Sequence, residues 1–404
     1  MLIVRRSFCR SPNSQIFVLI AITVLSCSNL VSALDDSADS HYIEAEPCDY
    51  YDQLEFNSSS ANQSVAWQVS LGPRIPGSQA SDRLRESVKE NLTEWTFSEE
   101  SHDRENFTLT NLIASYEPVN SSGQEIYLVA HYDTRDRAER DSNESLRDIP
   151  IDGANDGASG VAVLIELGKI IPSLNLNYTV KMLFTDGEDQ GERPGIYGSK
   201  AWAENRSDEQ LSNISAFIVI DMIGDADLHF THVWPGSSEL WLTIEPLAHA
   251  LGLVEGENDC MGLDGEDVFD INTSYGVIDD HVAAHERGVP AIDIIDISYG
   301  EGSENWEGHW HTHDDTIDKV SAESLGKIGH LIELGLRSSS WLLHVNETVE
   351  VNSTHEEFNN ENINSDNHIK IKVEKSKFIG SALLVIILFM FMMVFILDYR
   401  IKRL

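Results

Sequence analysis

The chain has 404 residues, of which 67 are acidic and 28 are basic, so its formal charge is −39 at pH 7. A surface of this sign repels the phosphates of DNA and RNA. The composition therefore argues against a nucleic-acid-binding protein, and we expect no nucleic acid among its partners.

Residues 1–33 predict a secretory signal peptide. Arginines at positions 5, 6 and 10 precede an apolar stretch over residues 16–25, and the segment ends on Val31, Ser32 and Ala33, a small-x-small cleavage pattern. A first membrane anchor is the alternative, but the apolar stretch is short for that role. The acidic leader that follows, residues 34–61, is polar, and we expect it to be disordered up to about residue 56.

Residues 62–345 are predicted to form a single catalytic domain, because no linker rich in Pro, Gly or Ser interrupts them. Short, nearly all-apolar segments alternate with helical ones, which is typical of strands covered on both faces. Strands are predicted over residues 125–130, 179–185, 216–222 and 290–295, and helices over residues 79–92, 158–171, 237–251 and 322–343. The predicted fold is an α/β three-layer sandwich with a mostly parallel mixed central sheet.

The C-terminal segments predict a membrane attachment. A polar stalk over residues 346–377 leads to residues 378–397, an uncharged apolar run of twenty residues, and a short basic tail follows over residues 398–404. Twenty residues at ~1.5 Å each span the ~30 Å hydrocarbon core of a bilayer. Together with the signal peptide, this segment predicts a single-pass membrane protein whose catalytic domain lies outside the cytosol.

Few cysteines are available for cross-linking. Of the four in the chain, removal of the signal peptide would leave Cys48 and Cys260. In an oxidising compartment these two could form one disulfide, and two unconnected thiols are the alternative. About a dozen N-x-S/T sequons would accept glycans if the host glycosylates the chain.

Histidine and acidic residues cluster where the predicted strands end and in two later loops, NDGASG and HWHTHDDT. These residues are His131, Asp133, Asp156, Glu188, Asp189, Asp221 and His311. Zinc binds histidine nitrogen and carboxylate oxygen, and ligands of open α/β sheets gather beyond the carboxyl ends of the strands. The sequence therefore predicts a zinc enzyme with its site at this edge. Asp314 and Asp315 are expected to cap the following turn or to orient His311.

Eight motifs occur in a fixed order along the chain: GPRIPGS, HYDTR, GANDGASGVA, TDGEDQG, YGSKAWAE, IDMIG, DDH with RGVP, and WHTHDDT. In these motifs the chain resembles the zinc aminopeptidase superfamily that also contains the glutaminyl-peptide cyclotransferases. The resemblance covers most of residues 72–343 and is closest to the cyclotransferase branch. It implies an enzyme whose partners are peptides or proteins with a free N-terminus.

The resemblance also implies the role of each residue in the metal site. Asp156 would be the central carboxylate ligand, and His311 the late histidine ligand. Asp189 would be a ligand that follows the catalytic Glu188. The family commonly has Glu at the position of Asp189, so the carboxylate here is one methylene shorter.

Two chemistries are compatible with this set of residues. In an aminopeptidase, His131 and Asp221 would complete a second zinc site, with Asp133 orienting His131, and Glu188 would deprotonate a water held by two zinc ions. In a cyclotransferase, a single zinc would polarise the side-chain amide of an N-terminal Gln. Glu188 would then move a proton from the α-amino group to the leaving ammonia.

Features of the C-terminal half favour the cyclotransferase. The segments VIDDH and RGVPAIDII, and Trp310 directly before His311, are similar to cyclotransferases, in which an acid pair and a Trp shape the substrate pocket. Asp221 and Asp279 would then share a proton rather than bind a second metal. Asp293 is a departure, because animal cyclotransferases have His there. They also carry a Trp in the insertion after Asp189, which this chain lacks.

Other features keep two further hypotheses open. The loop NDGASG is similar to the aminopeptidase version, and every residue needed for a second metal is present. The third hypothesis is a binding ectodomain without zinc, which predicts a broken set of ligands. The complete set argues against it. We therefore expect a zinc-dependent glutaminyl-peptide cyclotransferase with one zinc, with a two-zinc aminopeptidase as the alternative.

Overall fold

The computed structural model describes residues 46–342, except for residues 192–194, 301 and 304–305. The predicted signal peptide, the first part of the leader, the stalk, the apolar run at 378–397 and the basic tail lie outside the described residues. Among the helices of the described part, none has both the length and the apolar character needed to cross a bilayer.

A six-stranded mixed sheet lies at the centre of the fold, in the order β1-β2-β4-β3-β5-β8. Strands β3, β4, β5 and β8 run parallel, whereas the β1–β2 hairpin joins the edge of β4 antiparallel. Strands β6 and β7 form a separate parallel pair. The bounds are β1 Thr96–Arg104, β2 Phe107–Tyr116, β3 Glu125–His131, β4 Thr179–Thr185, β5 Ile214–Asp221, β6 Phe230–Trp234, β7 Phe269–Gly276 and β8 Ala291–Ile295.

Helices cover both faces of this sheet, so the predicted three-layer α/β fold is confirmed. Helices α1, α3 and α9 pack on one face, and α4 and α8 pack on the other. The bounds are α1 Ser58–Ser70, α2 Gln79–Asn91, α3 Ala158–Ile170, α4 Tyr197–Glu204, α5 Asp208–Ser212, α6 Ser238–Trp241, α7 Ile244–Ala250, α8 His281–His285 and α9 Ala322–Arg337.

Helix α3 is the element that brings the sheet and the metal candidates together. Eleven of its thirteen residues are buried. At Gly160 a side chain would collide with the backbone, because a Cβ there would lie 2.2 Å from the carbonyl oxygen of Ile220 in β5. This close approach places the loop before α3, which carries Asp156, directly over the ends of β3 and β5.

The four predicted strands are present, with bounds within two residues of those expected. The hairpin β1–β2 and the pair β6–β7 were not predicted. Strand β1 has no apolar run, since its sequence is TFSEESHDR and all nine of its residues are at least partly exposed. The signal used to predict buried strands therefore does not detect it.

Two of the predicted helices have different bounds from those expected. The helix expected over residues 237–251 is interrupted between α6 and α7, where the hydroxyl of Thr243 donates to the carbonyl oxygen of Leu240 at 2.7 Å. Such a side-chain bond competes with the helical backbone bonds. The helix expected over residues 322–343 ends at Arg337. Ser339, just beyond this end, has a left-handed backbone with φ 57°.

The expectation of a disordered leader is wrong for residues 46–56. Short 3-10 turns form at Pro47–Asp49 and Tyr51–Gln53, and α1 begins at Ser58. Cys48 forms a disulfide with Cys260, 212 positions away. The backbone N–H groups of Glu55 and Phe56 both donate to the carboxylate of Glu333 at 2.9 Å. These distant partners supply the order that local composition does not predict.

Glu333→Ala is expected to lower the free energy of unfolding by about 2–3 kcal/mol, because two backbone donors and Arg337 lose their partner. Glu333 is fully buried. Chemical denaturation of the two proteins measures the change. The matched control is Glu323→Ala in the same helix, where the side chain is 77% exposed. Equal stability of the two variants would show that the hydrogen bonds from Glu55 and Phe56 to Glu333 contribute little.

Candidate metal centre and active site

A cavity of about 350 Å³ opens at the carboxyl ends of the parallel strands. Its floor is acidic and its walls are partly aromatic. The residues that line it are Arg135, Asp156, Glu188, Asp189, Gln190, Gly191, Gly195, Asp221, Gly276, Val277, Ile278, Asp279, Ile295, Trp306, Trp310 and His311. The structure thus brings together residues from seven separate stretches of the sequence.

The first group of ligand candidates is Asp156, Asp189 and His311. The Nε2 atom of His311 lies 2.9 Å from Oδ1 of Asp189 and 3.5 Å from Oδ2 of Asp156. All three residues are buried. His311 has a left-handed backbone, with φ 54°, a strained conformation that is often found at functional sites.

The second group is His131, Asp156 and Asp221. The Nε2 atom of His131 lies 3.1 Å from Oδ1 of Asp156 and 3.1 Å from Oδ1 of Asp221. Asp156 therefore belongs to both groups and directs one carboxylate oxygen towards each histidine. This shared position is what a carboxylate between two metal ions requires.

The chemistry of these groups fits a bound cation. The Oδ2 atoms of Asp156 and Asp189 are buried and have no hydrogen-bond partner among the described residues. Burial, and then the charge of Asp189, raises the pKa of Asp156 to about 8. Clustered carboxylates with unused oxygens are costly without a counter-charge, and zinc uses this mixture of imidazole and carboxylate ligands.

Asp133 positions the turn that carries Glu188 and Asp189. Its carboxylate accepts the backbone N–H of Glu188 at 3.1 Å, that of Asp189 at 3.3 Å and Nε2 of Gln190 at 2.9 Å. The sequence also predicts that Asp133 orients His131, and the two side chains lie within ion-pair range of each other. The distance from Oδ1 of Asp133 to Nδ1 of His131 is 3.6 Å, which is longer than a hydrogen bond.

Asp156 is held by the loop that follows His311. The carboxylate of Asp315 accepts the backbone N–H groups of Asn155 at 2.8 Å and of Asp156 at 3.2 Å. The structure therefore shows that Asp315 positions the loop of Asp156 and does not orient His311.

Gly157 permits the tight fit beside His131, since a Cβ at this glycine would lie 2.6 Å from Cε1 of that imidazole.

Glu139 is a site residue that the sequence analysis missed. Its Oε1 lies 2.9 Å from Nδ1 of His311, so it fixes the ring whose other nitrogen faces Asp189. Arg135 pairs with Glu139 at 3.0 Å and also donates to the backbone oxygen of Asp189. Burial raises the pKa of Glu139, but His311 and Arg135 outweigh it and lower that pKa to about 2. No local spacing signals this residue, because it is 172 positions from His311.

Glu139→Gln is expected to raise the dissociation constant for zinc about 10-fold, because the partner of a ligating histidine sets its orientation and basicity. Chelator competition measures this constant without relying on activity. Glu144→Gln is the matched control, since Glu144 lies in the same segment and its side chain is 86% exposed. Wild-type affinity in Glu139→Gln would show that the contact with His311 does not tune the ligand.

Glu188 lies beside the ligand groups and partly faces the cavity. Burial, then the charges of Asp189 and Asp279, raises its pKa well above the usual range. A buried carboxyl with a raised pKa takes up a proton more readily than an exposed one, which suits a general acid and base. The geometry therefore allows Glu188 to transfer protons within the cavity.

A second set of buried acids continues from Glu188 behind the cavity. Asp279 lines the cavity, and both oxygens of Asp293 are without a hydrogen-bond partner among the described residues. Burial, then the charge of Asp221, raises the pKa of Asp279 well above normal. Burial, then the charge of Asp279, does the same for Asp293. Both carboxyl groups therefore favour the protonated form more than a solvent-exposed aspartate does.

Trp310 forms part of the cavity wall and packs on a ligand candidate. Its ring stacks on the imidazole of His311 with centroids 4.0 Å apart, and the guanidinium of Arg140 lies 4.9 Å from its centroid. Trp306 packs against Trp310 at 4.8 Å. The two indoles give the cavity a flat apolar wall next to the acidic floor.

Comparison with known proteins agrees with this geometry. The model of Peptidase family M28 matches residues 111–334. The glutaminyl-peptide cyclotransferase of Boiga irregularis is 26% identical over 320 residues, which are 67% of this chain and 80% of that protein. Aminopeptidase YwaD of Bacillus subtilis is 26% identical over 231 residues, or 56% of this chain, but the match spans only 44% of that protein.

A solved structure extends the similarity to the fold. The glutaminyl cyclase of Porphyromonas gingivalis superposes with a TM-score of 0.58 and 28% sequence identity, over 70% of this chain and 98% of the other. The family match includes the loops of His131, Asp156, Glu188 and His311. The chain therefore belongs to peptidase family M28 and is an enzyme similar to the aminopeptidases and glutaminyl-peptide cyclotransferases.

Proposed function

We propose that this protein is a zinc-dependent glutaminyl-peptide cyclotransferase, which converts an N-terminal Gln to pyroglutamate and releases ammonia. The observation that carries the proposal is Asp279. This residue lines the cavity, is 2% exposed and belongs to neither group of ligand candidates. In cyclisation the α-amino nitrogen is the nucleophile, so a buried acid beside it can hold the amine while its proton moves. In hydrolysis the nucleophile is a metal-bound water, and the amine serves only for recognition.

Asp156, Asp189 and His311 would hold the zinc, which supplies Lewis-acid polarisation of the Gln side-chain carbonyl when bound. The α-amino nitrogen of the peptide attacks the side-chain amide carbon. A carbon–nitrogen bond forms to close the ring, and the bond to the amide nitrogen breaks. Glu188 accepts the proton from the attacking nitrogen and delivers it to the departing nitrogen, which leaves as ammonia.

The buried acids hold the substrate amine in this scheme. Asp279 accepts a hydrogen bond from the α-amino group, and burial, then the charge of Asp221, raises the pKa of Asp279. Trp306 and Trp310 would pack against the aliphatic part of the glutamine side chain. Confinement in this small cavity keeps the amine and the amide carbon within reach of each other.

A two-zinc aminopeptidase is the second candidate. The group of His131, Asp156 and Asp221 favours it, because these residues lie together and share Asp156 with the first group. In that case Asp221 would be a ligand, and Glu188 would take a proton from water instead of from the amine.

The experiment incubates the purified full chain with Gln-Phe-amide and measures products by mass spectrometry, with zinc per chain determined in parallel. The cyclotransferase predicts loss of one ammonia with the peptide bond intact, and about one zinc. Release of free Gln with about two zinc ions would overturn the proposal in favour of the aminopeptidase. A chain without zinc and without either product would contradict both.

We also propose that the catalytic domain lies outside the cytosol, anchored by residues 378–397. The Cys48–Cys260 disulfide supports this location, since disulfides persist in oxidising compartments. Sequons of the described residues support it too, because their asparagines are exposed except for Asn62: Asn57, Asn62, Asn91, Asn106, Asn120, Asn143, Asn177, Asn205, Asn213 and Asn272. Membrane fractionation and an endoglycosidase-induced mass shift test the proposal, and an unglycosylated chain in the soluble cytosolic fraction would refute it.

A further inference from the structure

Exposed apolar side chains lie where the β6–β7 pair meets the cavity. Trp234, at the end of β6, is 58% exposed, and Ile278, just after β7, is 51% exposed. Their neighbours along the chain are buried, with Val233 at 4% and Val277 at 2% exposure. Two large apolar side chains are therefore exposed at the end of this strand pair, each next to a buried residue.

Gly276 lets Trp234 lie against the backbone of β7. The two residues are paired in register, and a Cβ at Gly276 would lie 2.8 Å from Cζ2 of the indole. The backbone oxygen of Trp234 also accepts the N–H of Val277 at 3.0 Å. We call Trp234, Gly276 and Ile278 the apolar ledge.

The apolar ledge continues directly into the active-site cavity. Gly276 and Ile278 line that cavity, and Asp279, the next residue, is the proposed partner of the substrate amine. Once the first residue of a peptide is bound at Asp279 and Glu188, the chain that follows must leave past this opening. An apolar wall at such a mouth removes apolar ligand surface from water.

We propose that the apolar ledge binds the side chain of the residue that follows the N-terminal one, so that the enzyme prefers large apolar side chains at this second position. The inference rests on the proposed function for the identity of the first residue. The preference itself follows from the position of the ledge and holds for either reaction of a free N-terminus. Trp234 and Ile278 are therefore specificity-determining residues.

The test compares kcat/KM for Gln-Phe-amide and Gln-Gly-amide in the wild type, Trp234→Ala and Leu242→Ala. Leu242 is the matched control, because it is also 58% exposed but is not part of the ledge, whereas the indole of Trp234 lies against Gly276 of the cavity lining. We expect the Phe-to-Gly ratio to exceed 1 in the wild type. It should fall about 10-fold in Trp234→Ala and stay unchanged in Leu242→Ala. Gly276→Ala, which displaces the indole without removing it, should lower the ratio as well.

A binding measurement separates this inference from the assigned reaction. Calorimetry with zinc-loaded Glu188→Gln and the same two dipeptide amides should show tighter binding of Gln-Phe-amide, with the difference lost in a Glu188→Gln/Trp234→Ala double variant. If free amino acid rather than ammonia is released, the proposed function fails. The Phe-to-Gly ratio of kcat/KM for that hydrolysis then still tests the ledge. An unchanged ratio and unchanged binding in the Trp234 variants overturn the inference. A dimer that dissociates on Trp234→Ala, with the ratio unchanged, would assign the ledge to a second copy of the chain.

Discussion

Glu188→Gln is expected to lower turnover by about 10²–10⁴-fold while zinc stays bound, because the amide cannot accept and return a proton. Glu188 forms a further candidate ligand group with His131 and Asp189, but it belongs to neither of the two groups that contain Asp156, so those groups stay complete in the variant. The Gln side chain has nearly the same shape as that of Glu, so the cavity should remain intact in the variant. Steady-state kinetics and zinc content measured on the same preparation test both halves of this expectation.

The control for this variant is Glu307→Gln. Glu307 lies between Trp306 and Trp310 in the sequence, is exposed and does not line the cavity. Its replacement therefore removes one negative charge near the site without changing a residue of the proposed mechanism. Full activity in Glu188→Gln would remove Glu188 from the mechanism. Loss of zinc along with activity would instead make this residue part of the metal site.

His311→Ala is expected to abolish both zinc binding and activity, because it removes one of the three ligands in the first group. Loss of the imidazole also leaves Asp189 without the partner that lies 2.9 Å from its Oδ1. Zinc per chain after dialysis measures the first effect, and ammonia release measures the second. Chelation of zinc from the wild type should reproduce the loss of activity, and added zinc should restore it only in the wild type.

The matched variant is His313→Ala, two residues along the chain. The Nδ1 atom of His313 lies 2.9 Å from Asp141, outside the cavity lining, so its removal should leave zinc content at the wild-type level. The reverse result, with zinc lost from His313→Ala and kept in His311→Ala, would move the late ligand to His313.

The sequence predicted the interior of the fold better than its edges. Strands β3, β4, β5 and β8 are covered on both faces, so each appears as a continuous apolar run that local inspection detects. The β1–β2 hairpin lies at the edge of the sheet and has polar, partly exposed residues in β1. The antiparallel pairing of β2 with β4 is evident only from the tertiary structure.

In the candidate site, too, the sequence predicted one set of residues and missed another. His131, Glu188, Asp189 and Asp221 stand at or just after strand ends, and parallel strands bring their carboxyl ends to one edge, so the proximity of these residues followed from the predicted strands. The contacts that hold those ligands come from elsewhere in the chain. Glu139 contacts His311, and Asp315 contacts the Asp156 loop. The residues of each pair are so far apart in the sequence that no local pattern predicts the contact.

The sequence by itself thus determined the family, the α/β class and the set of acidic and histidine candidates, because these depend on local apolar runs and on short motifs. Only the tertiary structure decided that residues 46–56 are ordered, that Cys48 pairs with Cys260, and that Trp234 lies beside the cavity mouth. The physical reason is that these features arise from contacts between residues far apart in the chain. Residues 46–56 are held by Cys260 and Glu333, and Trp234 lies against Gly276, and none of these partners is a neighbour in the sequence.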